Sequence, residues 1–183
     1  MKSITIRRTK IEQWVDEPFF ADTIIGLFVK VGNKSGKKFL LAEVKDVLMN
    51  VNNQYTMTNG KKTHITLLLN MGNDTSEHHK EYKVNYISNQ EVTFDDYNKL
   101  QSLRKDEYKM EYIEKDHVFI KKTDLKHART YIYKVGEREQ IASDRFERAL
   151  ITGDLKEFPN VSFFFKKYIL DRDVKVQEKE EAL

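Results

Sequence analysis

The chain has 183 residues, of which 33% are charged and 39% are hydrophobic, a composition typical of a folded domain with a heavily charged surface. It contains no cysteine, which excludes disulfide scaffolds, thiolate zinc sites and cysteine catalysis. The 32 basic and 29 acidic residues nearly balance, so the net charge of +3 does not by itself indicate binding to nucleic acid. Uninterrupted apolar stretches are only a few residues long, which predicts no membrane-spanning segment.

The first predicted element is a helix that begins near Thr9. Thr9 and Glu12 have the Ser/Thr-x-x-Glu spacing of a capping box, in which each side chain bonds an unpaired amide at the helix start. The apolar residues that follow at helical spacing are Ile11, Trp14 and Val15. Pro18 is expected to end the helix and to open a short turn through residues 19–21.

Strand patterns follow this helix. The segments rich in β-branched and aromatic residues are 24–31, 39–49, 54–57, 63–70 and 82–87. A turn is predicted over 32–37, and Asn59-Gly60 is a strong hairpin signal. Short strands at this spacing, with no helices between them, predict a small antiparallel barrel.

Helical patterns replace the strands after Asn89. Thr93 is a predicted N-cap, with Asp95 and Asp96 in the first turn of a helix that runs toward Arg104. Two later helical faces are marked by Leu125, Ala128, Ile132 and Val135, and by Ala142, Phe146, Ala149 and Leu150. A last amphipathic segment covers 161–169.

These patterns predict one domain over residues 1–183. Its parts are a helix and barrel core over 4–98, a packed helical extension over 93–172, and a charged, frayed tail over 173–183.

Catalytic motifs are absent from the sequence. It has no glycine-rich nucleotide loop, no Gly-x-Ser-x-Gly and no His-Glu-x-x-His, and its five histidines lack ligand spacing. We therefore predict no enzymatic activity, no cofactor and no metal.

Five blocks of the sequence resemble the Plus-three domain family. They are residues 6–14 (IRRTKIEQW), 18–21 (PFFA), 26–32 (GLFVKVG), 69–74 (LNMGND) and 86–91 (YISNQE). The resemblance covers about residues 4–98 well and the helical remainder only loosely. It implies an α+β fold: a small Tudor-like antiparallel β-barrel flanked by an N-terminal helix and several C-terminal helices.

The resemblance also implies a function. The family is the central module of the Rtf-type subunit of the polymerase-associated factor (PAF) complex, which accompanies RNA polymerase II in the nucleus. Such a module would bind the phosphorylated C-terminal repeats of the large subunit of the elongation factor DSIF. Contacts with other PAF subunits and with the polymerase would be indirect, and the isolated domain would be monomeric. Binding of single-stranded DNA is also attributed to the family.

By resemblance, the three basic positions that name the family fall on Arg8, Lys30 and Lys80, with Lys83 as a rival for the third. A phosphothreonine carries about −1.5 to −2 charges and three acceptor oxygens, so converging cations can neutralise it with charge-assisted hydrogen bonds. Tyr86 matches an aromatic position that forms an apolar wall beside the phosphothreonine. Lys30 replaces the usual arginine, which keeps the charge but loses the planar fork.

Other interpretations stay open on sequence alone. Lys30 could belong to a solvated surface and Tyr86 to the barrel core. A single-stranded nucleic-acid site would use Tyr86 together with Lys37, Lys38, Tyr55, Lys61, Lys62 and Tyr82. Methyl-lysine recognition is less favoured, because no cage of three or four aromatic residues can be placed on one rim.

Overall fold

The computed structural model describes residues 2–32, 39–70, 79–104, 113–153 and 155. The helices are α1 (Arg8–Trp14), α2 (Phe20–Ile24), α3 (Phe94–Ser102), α4 (Lys115–Arg129) and α5 (Glu137–Thr152). The strands are β1 (Phe28–Gly32), β2 (Phe39–Met49), β3 (Tyr55–Thr56), β4 (Lys62–Thr63), β5 (Ile65–Asn70) and β6 (His79–Lys83). Two 3-10 turns cover Lys2–Ile4 and Val84–Tyr86.

The chain divides into two compact units, Met1–Ile132 and Tyr133–Leu183. The first contains both sheets and helices α1 to α4, and the second contains α5. No helix in the described ranges combines the length and the apolar character needed to cross a membrane.

The main sheet is antiparallel and has the strand order β1-β2-β5-β6. Its register aligns Phe28 with Glu43, Glu43 with Asn70, and Asn70 with His79. Strands β3 and β4 form a separate hairpin around Asn59-Gly60, and Gly60 has the positive φ of 85° that such a turn favours.

The predicted barrel is not closed in the part of the chain that the structure describes. There, the edge strands β1 and β6 are not paired with each other, so the four-stranded sheet is open. The chain after β6 returns to β1 at a single antiparallel bridge between Ile87 and Val31, and Thr5 forms a parallel bridge with Phe28. The mixed helix and sheet class is confirmed, whereas the closed Tudor-like barrel stays a prediction.

The core of the first unit joins the sheet to its flanking helices. Its largest fully buried side chains include Ile4, Ile11, Ile24, Leu27, Phe28, Leu67, Leu69 and Ile87. Burial of each such side chain contributes about 1.5–3 kcal/mol, so this core holds α1 and the 3-10 turn after β6 in place. Trp14 is also buried and meets the Phe19 ring edge-on, with centroids 5.5 Å apart, which confirms its core role.

Several predicted boundaries differ from the structure. The predicted strand over 24–31 begins only at Phe28, because Phe20–Ile24 forms α2 in place of the predicted turn. The predicted strand over 82–87 ends at Lys83, where the 3-10 turn begins. By contrast, Phe39–Met49 is a strand over its whole predicted length.

The helical predictions are confirmed in part. Leu125 and Ala128 are buried on α4, but the helix ends at Arg129, and Ile132 and Val135 are exposed. The prediction that all four share one face was wrong, because Thr130 leaves the helical conformation with φ −115° and ψ 21°.

In the second unit, α5 buries Phe146 and Ala149, as its predicted face requires. Of the predicted turn over 32–37, Gly32 ends β1, and the rest of the turn lies outside the described residues. The segment 161–169 and the tail 173–183 also lie outside them.

Candidate functional site

Ser88 joins the first two predicted basic positions through the backbone. Its N–H donates to the carbonyl of Lys30 over 2.7 Å, and its carbonyl accepts from the N–H of Arg8 over 3.5 Å. The start of α1, strand β1 and the segment after β6 therefore meet at one place. Residues that lie 58 positions apart, Lys30 and Ser88, become hydrogen-bonded neighbours.

The start of α1 is held from outside the helix. Thr9 and Glu12 do not form the predicted capping box: the N-cap is Arg7, which makes no side-chain cap. The N–H of Thr9 donates instead to Oδ1 of Asn89 over 2.9 Å. Glu12 is buried and accepts from both the N–H and the hydroxyl of Thr58 in the β3–β4 hairpin. The local signal failed because tertiary partners replaced both halves of the box: Asn89 bonds the backbone N–H of Thr9, and Thr58 bonds the carboxylate of Glu12.

Arg8 projects toward the segment that carries Tyr86. Its Nη1 donates to the carbonyl of Asn85 over 3.4 Å, and its Nε lies 3.9 Å from Oε1 of Glu12. The Arg8 side chain is 25% exposed, and its buried Nε has no hydrogen-bond partner among the described residues. The guanidinium is thus loosely held, next to the residue that precedes Tyr86.

Tyr86 is a surface residue and not part of the core. It is 43% exposed, and its ring packs edge-on against Tyr82 with centroids 6.2 Å apart. We call Arg8, Tyr82, Asn85 and Tyr86 the Arg8–Tyr86 surface. It combines a cation with an exposed aromatic ring.

Lys30 has a different environment. It is 8% exposed, and its Nζ donates to Oδ2 of Asp96 over 2.8 Å. The same carboxylate oxygen accepts from the N–H and the hydroxyl of Thr93, which completes a capping box at the start of α3. Lys30 is therefore not on a solvated surface, and its charge is compensated inside the protein.

Asp96 is held in its ionised form. Burial opposes ionisation, but the hydrogen bonds from Lys30 and Thr93 outweigh it, and the pKa of Asp96 is lowered from its usual value. The carboxylate is thus an internal counterion for Lys30, whereas the sequence pattern predicted only that Asp96 lies in the first turn of the helix.

The two candidates for the third basic position lie on opposite faces of β6. Lys80 is exposed and, by strand alternation, shares a face with Tyr82. Lys83 lies on the other face, with its Nζ 5.0 Å from the centroid of the Tyr55 ring. This arrangement favours Lys80 as the partner of the Arg8–Tyr86 surface.

The residues predicted for a single-stranded nucleic-acid site differ in how far they are buried. Tyr55 is only 9% exposed, its hydroxyl donates to the carbonyl of Ile65 and accepts from the N–H of Val84, and burial raises its pKa to about 12. Its assignment as a base-stacking residue is corrected, because the ring belongs to the core. Tyr82 is half-buried, Lys61 and Lys62 are exposed, and Lys37 and Lys38 lie outside the described residues.

A polar cavity of about 310 Å³ borders this junction. Its lining includes Lys2, Arg7, Lys30, Ser88, Gln90 and Glu91. Arg7 and Glu91 form a salt bridge of 2.6 Å. Arg7 was not among the predicted site residues, although its position beside Arg8 was a usable signal. Over the ranges described, no three His, Asp or Glu side chains group as metal ligands would.

The fold and the site define a mixed α+β domain that presents a basic and aromatic surface where its first helix meets its sheet. A family model of the Plus-3 domain matches residues 1–105, and the chain belongs to this family. It is similar to the Protein RTF1 homolog of Arabidopsis thaliana, with 42% identity over 80 residues. That match covers 42% of this chain and 12% of the relative, so the chain corresponds to a small part of that protein's length.

Proposed function

We propose that this chain is a non-enzymatic docking module of transcription elongation that binds a phosphothreonine-containing peptide. The observation that carries the proposal is the long contact of the Arg8 guanidinium with the carbonyl of Asn85, the residue that precedes the exposed Tyr86. Membership of the Plus-3 family and similarity to an RTF1 homologue support a role associated with the PAF complex. The proposed ligand is the phosphorylated C-terminal repeat of the large DSIF subunit, which would bring the complex to RNA polymerase II in the nucleus.

The chemistry of binding follows from how loosely Arg8 is held. Its bond of 3.4 Å to the Asn85 carbonyl is long, and its distance of 3.9 Å to Glu12 is at the limit of an ion pair. A phosphate can take two parallel N–H bonds from a guanidinium, which are shorter and stronger than these contacts. The Tyr86 ring would then cover the residue next to the phosphothreonine.

Lys80 and Lys30 differ in how available their ammonium groups are to a phosphate. Lys80 is exposed on the face of β6 that it shares with Tyr82, so it is available to a second phosphate oxygen. Lys30 already donates to Asp96, and any bond from its Nζ to the ligand must use another of its three N–H groups. We therefore expect most of the direct phosphate contact to come from Arg8.

The test is a titration with paired phosphorylated and unmodified threonine peptides that carry no other acidic residue. Arg8→Ala should weaken binding of the phosphorylated peptide at least about tenfold, the loss of one charge-assisted pair. Arg7→Ala is the matched control, since it removes the same charge one residue away on a side chain paired with Glu91. One phosphate in a shallow groove should give wild-type affinity on the order of micromolar. Equal curves for wild type and Arg8→Ala would reject the proposal.

Single-stranded nucleic-acid binding is the alternative outcome of the same experiments. Burial of Tyr55 removes one of the rings expected to stack on bases. The residues that remain at least partly exposed for such a site are Tyr82, Tyr86, Lys61 and Lys62. Affinity for a short oligonucleotide would fall steeply with salt if lysines followed its backbone. Oligonucleotide binding that is stronger than phosphopeptide binding and lost in Tyr86→Ala would favour this alternative.

A further inference from the structure

The two consecutive arginines at the start of α1 contact different parts of the segment after β6. Arg8 bonds the carbonyl of Asn85, whereas Arg7 bonds the carboxylate of Glu91 over 2.6 Å. Their Cα atoms are only about 3.8 Å apart, because they are neighbours in the chain. Two cationic side chains therefore serve two adjoining sites, the Arg8–Tyr86 surface and the polar cavity.

The cavity has an excess of positive charge among its lining residues. Lys2, Arg7 and Lys30 contribute three cations, and Glu91 contributes one carboxylate. Lys30 is neutralised by Asp96, which still leaves Lys2 and Arg7 opposite Glu91 alone. A volume of about 310 Å³ is large enough for a phosphate or carboxylate group together with part of a peptide chain.

Glu91 is an exchangeable partner for Arg7. The side chains of Arg7 and Glu91 are 52% and 68% exposed, and ion pairs this exposed are weak because water and salt screen them. An incoming dianionic phosphate forms stronger bonds to a guanidinium than an exposed monocarboxylate does. The Glu91 carboxylate thus occupies the position at Arg7 that an external anion could take, and it is bound there only weakly.

We propose that this cavity is a second anion subsite, which takes a phosphate or carboxylate on the same peptide whose phosphothreonine binds Arg8. This inference rests on the proposed function, and it makes the preferred ligand a peptide with two negative groups. An extended chain covers about 3.3–3.6 Å per residue, so spacings of about two to six residues cover about 7–22 Å, a range that should include the distance between two guanidinium groups on neighbouring residues.

The peptide test compares one phosphothreonine alone with the same peptide carrying a phosphoserine two to six residues away on either side. At one spacing the second phosphate should tighten binding to the wild type about tenfold. Arg7→Ala should abolish that gain and leave the affinity for the singly phosphorylated peptide unchanged. Arg7→Lys should restore part of it, and Glu91→Gln should increase it. No gain at any spacing, or an equal loss for both peptides in Arg7→Ala, would overturn the proposal.

A second measurement tests the subsite without any peptide. Inorganic phosphate, titrated into the full chain, should shift the backbone amide resonances of Ser88 to Glu91 in the wild type and in Arg8→Ala, but not in Arg7→Ala. An absence of those shifts would overturn the second subsite. Failure of the phosphothreonine site would instead appear as failure of the singly phosphorylated peptide to bind, so the two results are distinguishable.

Discussion

The backbones of Arg8 and Lys30 both hydrogen-bond to Ser88, yet their side chains lie in opposite environments. Arg8 is a quarter exposed and makes only long contacts, whereas Lys30 is buried and bound to Asp96 over 2.8 Å. The tyrosines repeat the contrast, since Tyr86 is exposed and Tyr55 has its hydroxyl bonded inside the core. The comparison teaches that a basic or aromatic residue in a family motif can serve either binding or architecture, and that its partners decide which.

The largest expected effect comes from breaking the buried pair. Lys30→Ala should lower the free energy of unfolding by about 3 kcal/mol, because it leaves the Asp96 carboxylate buried without its cation. Chemical denaturation measures this directly. The double variant Lys30→Met with Asp96→Leu should recover part of the loss because both charges are removed. Arg8→Ala should cost less than Lys30→Ala, because Arg8 lies 3.9 Å from Glu12 and the Glu12 carboxylate keeps its hydrogen bonds from Thr58. Equal stabilities for Lys30→Ala and wild type would show that the pair has no structural role.

The same pair predicts a pH dependence. A carboxyl whose pKa is lowered by folding stabilises the fold above its unfolded pKa, near 3.9, and that contribution is lost as the pH falls toward the folded pKa. Asp96 should therefore stabilise the chain at neutral pH, and this contribution should decline as the pH falls below about 4. Asp96→Asn should lack this part of the acid sensitivity, which denaturation curves between about pH 6 and pH 2 would reveal. Parallel curves for the two proteins would contradict the assignment.

Tyr55 and Tyr86 allow the same comparison of a buried with an exposed residue, with a smaller expected effect on stability. Tyr55→Phe should cost about 1–2 kcal/mol of stability, since the N–H of Val84 loses its buried acceptor. Tyr86→Phe should change stability by less than about 0.5 kcal/mol, because its ring lies at the surface. An alkaline absorbance titration gives a second readout: the phenol with a pKa of about 12 should disappear in Tyr55→Phe alone. Similar losses in both variants would remove the distinction between the two rings.

The smallest expected difference in stability is between alanine variants of Thr93 and Thr9, both of which were predicted to cap a helix. Thr93→Ala should destabilise the chain by about 1 kcal/mol, because the Thr93 hydroxyl accepts from the N–H of Asp96. Thr9→Ala should be close to neutral, since Asn89 caps the N–H of Thr9 with its own side chain. Thermal unfolding of the two variants checks the order, and a larger effect at Thr9 would reverse the interpretation.

Local sequence signals were sufficient where neighbours in the chain satisfy one another. Thr93 and Asp96 cap α3 as predicted, Asn59-Gly60 turns the β3–β4 hairpin, and Phe39–Met49 is a strand over its predicted length. The family resemblance over the first half of the chain was also readable, since it rests on blocks of consecutive residues.

The same reasoning failed where a distant residue competed for a local partner. Glu12 has the spacing of a capping residue, but Thr58 takes its carboxylate, and Asn89 bonds the amide of Thr9 instead. Long-range contacts of this kind have no fixed spacing in sequence, so no local pattern could identify them.

The sequence by itself determined the residue types: a cysteine-free, nearly charge-balanced chain with basic and aromatic residues at the positions of its family. Only the tertiary structure decided which of those cations are available. It pairs Lys30 with Asp96, holds Arg8 only by long contacts such as that with the Asn85 carbonyl, and places Arg7 in the lining of the cavity. The physical reason is that the availability of a charge depends on its burial and on the nearest opposite charge, and both arise only when distant segments pack together.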